Sequence, residues 1–284
     1  MLIEPGAEFD LRAYLDHIGF SGAPAPDLAT LRAVCALHPA AIPFENLTVL
    51  AGQPVRLDLA ALQRKMTART QAGLVRGGYC FEHNTLLAAA LDAIGFPVTG
   101  LAARVIWNTP PDSPLPPQTH MVLGVRADGE DWLVDAGFGG NTLTAPLRMD
   151  ADGPQQTPLE TFRLTKLDGD RLLEVDLDGV WAPMFRLSPE PRAAADFALS
   201  NYWVSTHPDS HFRHTVIAAR TFEGGRYALR NFSLSEYRTG RAPVQRTLSA
   251  SETEAALADV FGLDIPDRDA VRRTLARAVP APAA

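Results

Sequence analysis

The sequence predicts an α+β fold, with helices in the first third, antiparallel strands through the middle, and strands followed by a helix at the end. Three observations carry this reading. Apolar residues recur with helical spacing as far as Gly95-Phe96-Pro97. From Val98 the period becomes alternating. Asp-Gly pairs then recur at 128–129, 168–169 and 178–179, which is the turn chemistry of antiparallel hairpins.

Each element has its own signal. Asp10 is placed to cap a first helix whose Leu11, Tyr14, Leu15 and Ile18 share a face, and Gly19 stops it. A second helix opens at Asp27 and puts Leu28, Leu31 and Cys35 on one side, so Cys35 reads as core. A third runs around Leu59 to Met66. A fourth enters at Cys80 directly after Gly77-Gly78, with Cys80, Asn84, Leu87 and Leu91 on one side. Its Ala-rich second half implies burial on most faces, leaving Cys80 at the exposed end of a rigid element. The middle third reads as a β meander that is able to close into a small barrel. Between its first two strands, Asn108–Gln118 carries too many prolines to hold a ladder and reads as a surface loop leading to His120. Residues 189–214 are irregular and polar-aromatic, a crossing segment. Strands are expected around Thr215–Arg220 and Arg226–Leu234, joined through Glu223-Gly224-Gly225. A helix opened by the capping-box pattern Ser251-Glu252-Thr253-Glu254 follows. The tail Val279–Ala284 reads as disordered.

Composition narrows the function classes. The 284 residues hold 26 Lys+Arg against 33 Asp+Glu, a net charge of −7, without a basic run, so a nucleic-acid partner is not expected. The start MLIEPGAEFD lacks the basic and apolar stretches of a signal peptide, and no run reaches the roughly 18 apolar residues of a membrane span. The expectation is a cytoplasmic protein with no membrane partner. Its two cysteines, Cys35 and Cys80, are then expected to stay reduced. With no CxxC or HExxH spacing, no metal site is expected. Whether the chain forms a homo-oligomer is left open.

The chemistry concentrates in Arg76-Gly77-Gly78-Tyr79-Cys80-Phe81-Glu82-His83-Asn84. Glycines supply unusual backbone angles for a tight entry turn, and a helix's first turn offers free N–H groups; a cysteine set there is made reactive. A base for it emerges from the next hairpin. If Asp128-Gly129 is a two-residue turn, Ala127 faces Glu130 and Val122 faces Asp135, which places His120 diagonal to Asp135 on one face. Diagonal neighbours lie roughly 7–8 Å apart at Cα, within reach of an imidazole and a carboxylate. Cys80, His120 and Asp135 then form a nucleophilic triad in which the carboxylate fixes the imidazole tautomer. His83, three residues from Cys80, is a rival base with no carboxylate placed to orient it. Arg76 and Glu82 read as an ion pair supporting the turn. Taken by itself, this constellation serves peptidases, transglutaminases and acyltransferases alike.

Five ordered motifs narrow the choice: Ile42-Pro43-Phe44-Glu45-Asn46-Leu47, the Arg76–Asn84 segment, Thr119-His120-Met121, Val134-Asp135-Ala136-Gly137-Phe138-Gly139-Gly140 and Ser205-Thr206-His207-Pro208. Together they resemble the arylamine N-acetyltransferases of bacterial type, from about Tyr14 to beyond Phe212. Ala136 is a small-residue variant of the family pattern, and the last part matches loosely. The resemblance implies three domains with a papain-like Cys-His-Asp arrangement: a helical bundle over 1–97 carrying Cys80, a β-barrel over 98–190 carrying His120 and Asp135, and an α/β lid over 215–284. An interdomain segment, 191–214, joins the last two. It also implies ping-pong transfer of acetyl from acetyl-CoA, a co-substrate and not a bound cofactor, through Cys80 to arylamines, arylhydrazines or N-hydroxyarylamines. Thr119, Phe138, Gly139 and Gly140 are implied contacts for the CoA arm; Phe44, Phe138 and Phe212 are implied walls for the aromatic amine. The competing expectation is a transglutaminase- or peptidase-like hydrolase, or an acyltransferase with a donor other than CoA.

Overall fold

The structure, a computed structural model, describes residues 2–3, 8–110 and 112–278. The expected tail 279–284 lies outside the described residues. The fold is α+β. Helix α1 (Leu11–Ile18) is capped by Asp10, whose side chain accepts from the Ala13 N–H, and ends at Gly19 with φ 74°. Helix α2 (Leu28–Ala41) is capped likewise by Asp27. A two-residue strand β1 (Phe44–Glu45) and the short α3 (Leu47–Leu50) follow. Helices α4 (Leu59–Met66) and α5 (Cys80–Ile94) complete the N-terminal part. Every residue of α5 from Cys80 to Leu91 is buried, as its apolar Ala-rich pattern requires.

The middle of the chain builds one antiparallel sheet from two meanders. The first comprises β2 (Val98–Val105), β3 (His120–Ala127), β4 (Glu130–Val134) and β5 (Leu147–Arg148). The second comprises β6 (Gln155–Gln156), β7 (Thr161–Leu167), β8 (Asp170–Leu177) and β9 (Val180–Pro191). They join where β2 pairs with β9, giving the order β5-β4-β3-β2-β9-β8-β7-β6. The Gln155 side chain bonds both the N–H and the carbonyl of Arg148, linking the edges β5 and β6, so the sheet nearly closes into a barrel. All three Asp-Gly pairs have positive φ at both residues, the signature of two-residue hairpin turns of type I′. The consequent β3–β4 register pairs Ala127 with Glu130 and Leu123 with Val134, as the sequence predicts.

The segment after β9 is less irregular than expected. It forms helix α6 (Ala194–Thr206) and a single 3₁₀ turn, His211–Arg213. A second antiparallel sheet then has the order β1-β10-β11-β12-β13, with β10 (Ile217–Phe222), β11 (Gly225–Arg230), β12 (Ser233–Arg238) and β13 (Val244–Thr247). The strand expected over Arg226–Leu234 is thus two strands, because Asn231 turns the chain at φ 49°. Helices α7 (Ala250–Asp259) and α8 (Arg268–Arg277) cover this sheet with Leu257, Val271 and Leu275, joined by Phe261 from the segment between them. The capping box of α7 also sits two residues earlier than expected: the Ser249 hydroxyl accepts from Glu252 N and the Glu252 carboxylate accepts from Ser249 N at 2.7 Å. Among the described residues, no helix is long and apolar enough to cross a membrane.

The strand β3 is buried on both faces, and this positions the site. Met121, Leu123 and Val125 pack in the cluster that surrounds α5, whereas Val122 joins Leu133 and Phe185 in the barrel interior. His120, the first residue of β3, has the parity of Val122 and so stands where the barrel interior meets the start of α5.

Candidate active site

The approach to α5 is shaped by steric fit. A Cβ on Gly77 would stand 1.7 Å from the Pro43 carbonyl oxygen, and one on Gly78 would stand 2.7 Å from the Glu82 side chain. Neither glycine has positive φ, so the expectation of unusual backbone angles is corrected. Here Gly-Gly is needed because backbone lies against backbone on one side and against a buried carboxylate on the other. That carboxylate, Glu82 at the third position of α5, accepts from the Tyr79 N–H at 3.1 Å and closes the first turn.

Beneath the turn lies a buried ionic cluster whose pairing differs from the expected Arg76–Glu82 bridge. Arg76 donates from Nε and Nη2 to Glu45 Oε1 at 3.1 and 2.9 Å, and from Nη2 to the Thr48 hydroxyl. Glu82 instead pairs with Lys65 at 2.7 Å, which also lies 3.7 Å from Glu45. Burial opposes charge on Glu45, but Lys65, Arg76 and the Leu47 N–H outweigh it and hold its pKa down to about 2. On Glu82 burial dominates and the shift is upward, so the two carboxylates titrate apart.

Cys80 is the first residue of α5 and is only 4 % exposed, against the expectation of an exposed helix end. The loop after β4 covers it: a Cβ on Gly137 would stand 2.6 Å from Cys80 Cα. His120 Nε2 donates to Asp135 Oδ2 at 2.7 Å, which leaves Nδ1 as the free ring nitrogen, and Cys80 is near enough to the ring to help raise its pKa. The diagonal contact read from the hairpin is therefore present, although the ladder ends at Leu123–Val134, one pair short of Val122 and Asp135. The Asp135 carbonyl is drawn off the ladder by Thr142 Oγ1 and the Leu143 N–H. Its other carboxylate oxygen accepts from Asn84 Nδ2 at 2.9 Å and from the Gly137 N–H at 2.8 Å. Burial alone disfavours an imidazolium at His120; the Asp135 charge and hydrogen bond, aided by Cys80, prevail and raise its pKa to about 10.

Asn84 is the residue of this network that the sequence places on the Cys80 face without giving it a task. Its amide also donates to the Met121 carbonyl at 2.6 Å, and its oxygen accepts from the Ala136 N–H at 3.1 Å. One side chain therefore ties α5 to β3 and to the loop after β4. The spacing of four from Cys80 was its only sequence signal. His83 is no rival base. Its Nε2 donates to the Pro43 carbonyl and its Nδ1 accepts from His38, which in turn accepts from the Tyr14 hydroxyl at 2.7 Å. Burial holds His83 down to about 4, so it stays neutral.

The remaining predicted residues divide between two aromatic groups. Phe44 stacks on His83 and touches Phe212, which meets Tyr79 edge-on at 5.5 Å. Phe138 packs edge-on against the His120 ring at 5.5 Å and joins Trp107 and Phe185, apart from the other two phenylalanines. Gly139 takes φ 88°, a conformation strained for any side chain, and a Cβ there would meet the Phe44 ring at 3.3 Å. The Gly140 carbonyl accepts from Arg226. Thr119 offers its carbonyl 3.8 Å from Cys80 Sγ, and its hydroxyl reaches the Pro117 carbonyl. An apolar cavity of about 550 Å³ lined by Leu57, Thr85 and Phe197 includes none of the triad, so the site is located by its chemistry and not by the room around it. Among the described residues, no group of three or more His, Cys, Asp and Glu is arranged to hold a metal ion.

The N-acetyltransferase family model matches residues 27–271. The arylamine N-acetyltransferase of Mycolicibacterium smegmatis is 44 % identical over 91 % of this chain and 93 % of its own, and that of Escherichia coli is 38 % identical over 90 % of each. The chain belongs to the arylamine N-acetyltransferase family. Family membership extends to the three-dimensional fold. The Mycobacterium marinum arylamine N-acetyltransferase solved in complex with CoA superposes with a TM-score of 0.87 at 38 % identity, covering 94 % of this chain and 98 % of that one.

Proposed function

We propose that this protein transfers the acetyl group of acetyl-CoA to the nitrogen of arylamines, arylhydrazines or N-hydroxyarylamines through a thioester on Cys80. One observation supports the assignment of residues: the His120–Asp135 hydrogen bond at 2.7 Å, buried beside Cys80 where the barrel meets the start of α5. Relatives that match nine-tenths of the chain are named for this activity, and none of these names favours the hydrolase alternative.

With the proton on His120, the Cys80 sulfur attacks the acetyl carbonyl carbon of acetyl-CoA. The new carbon–sulfur bond forms as the bond to the CoA sulfur breaks, and His120 delivers its proton to the departing CoA thiolate. Neutral His120 then takes a proton from the arylamine nitrogen as it attacks the thioester, and Cys80 leaves with its electron pair. This restores the starting pair and releases the amide. A weakly basic aromatic amine is unprotonated and nucleophilic at neutral pH, which suits it as acceptor. Backbone N–H groups at the first turn of α5 supply charge stabilisation for the tetrahedral oxyanion.

In this reading Thr119, Phe138, Gly139 and Gly140 contact the CoA arm. Phe44, Phe138 and Phe212 face the aromatic ring of the amine from the two groups described above. Residues 1–97 bring the nucleophile, 98–190 the base and its carboxylate, and 191–214 cross to the covering segment 215–284. Both cysteines are free, in keeping with a cytoplasmic enzyme. Incubation with acetyl-CoA and an aniline or hydrazine is expected to release CoA thiol continuously, and Cys80→Ala to abolish that release. Equal rates from the two proteins would overturn the proposal.

A further inference from the structure

Arg226 lies on β11 of the C-terminal sheet, yet it is 5 % exposed and its guanidinium reaches the loop that follows Asp135. Nε donates to the Gly140 carbonyl and Nη2 to the Asn141 side-chain oxygen. Nη1 pairs with Glu160 at 2.6 Å, just before β7, and the guanidinium carbon sits 3.9 Å from the centre of the Tyr237 ring. Two residues along β11, the Ala228 methyl carbon is 3.7 Å from where a Cβ on Gly140 would stand. All three guanidinium nitrogens are therefore engaged by the protein itself, so Arg226 is built to hold this loop and not to grip an anion.

The loop it holds is pinned at three places. At its start the Gly137 N–H bonds Asp135; at its middle Gly139 rests on Phe44; at its end Thr142 Oγ1 returns to the Asp135 carbonyl at 2.9 Å. Arg226 adds a hydrogen-bonded link from β11 to the Gly140 carbonyl and the Asn141 side chain. We infer that Arg226 is a positioning residue for the acyl donor, fixing the Gly139-Gly140-Asn141 backbone in the shape that receives the nucleotide-bearing arm of an acyl-CoA. The inference rests on the proposed use of this loop for CoA. Its physical content is pre-organisation: a loop ordered before the donor arrives does not lose that freedom on binding. A lysine at the same place has one nitrogen and cannot serve three acceptors in a fixed fork.

The test compares acylation of Cys80 by two acetyl donors, acetyl-CoA and p-nitrophenyl acetate, the second having no nucleotide arm. For Arg226→Gln, kcat/KM with acetyl-CoA is expected to fall roughly tenfold or more, while kcat/KM with p-nitrophenyl acetate stays within about twofold of wild type. Arg226→Lys is expected to behave as Arg226→Gln does. Asn141→Ala, which trims one loop side chain and leaves the arginine in place, is expected to show the same split to a smaller degree. Parallel losses with both donors, or no loss with either in the folded variants, would overturn the inference. If wild type is acylated by the ester but not by acetyl-CoA, the CoA reading itself fails and the positioning role falls with it.

Discussion

Asp135→Asn is expected to lower acetyl-transfer turnover by on the order of 10³-fold or more while the protein stays folded. One oxygen of Asp135 accepts from both Asn84 and the Gly137 N–H, and the other accepts from His120 Nε2. An asparagine keeps its carbonyl oxygen for the first two donors and turns its NH₂ toward His120. Nε2 must then become an acceptor, the ring proton moves to Nδ1, and the nitrogen facing Cys80 can no longer take a proton. The pH dependence changes with it. In wild type His120 keeps its proton until pH rises through about 10, so the acylation rate is expected to hold through neutral pH and fall only toward that limit. In Asp135→Asn the fall moves to lower pH. Stability follows the same sign. A folded pKa above the unfolded value of about 6.5 gives stabilisation fully present below that value and lost as pH rises through the folded pKa. Melting temperatures of wild type are therefore expected to decline between these limits more steeply than those of the variant. Turnover within tenfold of wild type would contradict this account.

Arg76→Ala is expected to destabilise the protein by about 3–5 kcal/mol, the cost of leaving a buried charge without its partner. The Glu45 side chain is fully buried and takes two hydrogen bonds from Arg76; its other cation, Lys65, is already shared with Glu82. The loss is read from urea unfolding at neutral pH. A value under about 1 kcal/mol, that of an exposed pair, would contradict the buried-cluster description. Acid provides an independent check. Because the folded pKa of Glu45 is held down to about 2, its contribution is present above the ordinary carboxylate value and is lost as pH falls toward 2. Removing Arg76 raises that folded pKa, so acid unfolding of the variant is expected to begin at higher pH.

What the sequence made legible was local or of short register. Asp10, Gly19 and Asp27 announce helix ends because capping acts within a few residues. Asp128-Gly129 fixes the register of β3 on β4 because a two-residue turn leaves no choice of pairing, and that alone brings His120 toward Asp135. The partners of Arg76 and Arg226 were beyond such reasoning. Arg76 meets Glu45 across 31 positions and Arg226 meets Asn141 across 85, contacts that exist only once β1 has met the Gly78 backbone and β11 has packed on the loop after β4. The Gly77-Gly78 pair shows the same limit from another side. A sequence gives glycine's freedom in φ, but the need here is for missing volume, created by Pro43 from a distant segment. Burial of Cys80 was hidden for that reason too, since Gly137 is what covers it.

In the proposed reaction Cys80 carries the acetyl group between donor and amine. Intact-mass and peptide-mass spectra after brief exposure to acetyl-CoA without an acceptor test it most directly. A gain of about 42 Da, an acetyl group in place of hydrogen, is expected on the peptide containing Cys80 and not on the one containing Cys35, and is expected to be lost on adding an arylamine. An unmodified Cys80 peptide from protein that is turning over acetyl-CoA and arylamine would contradict it.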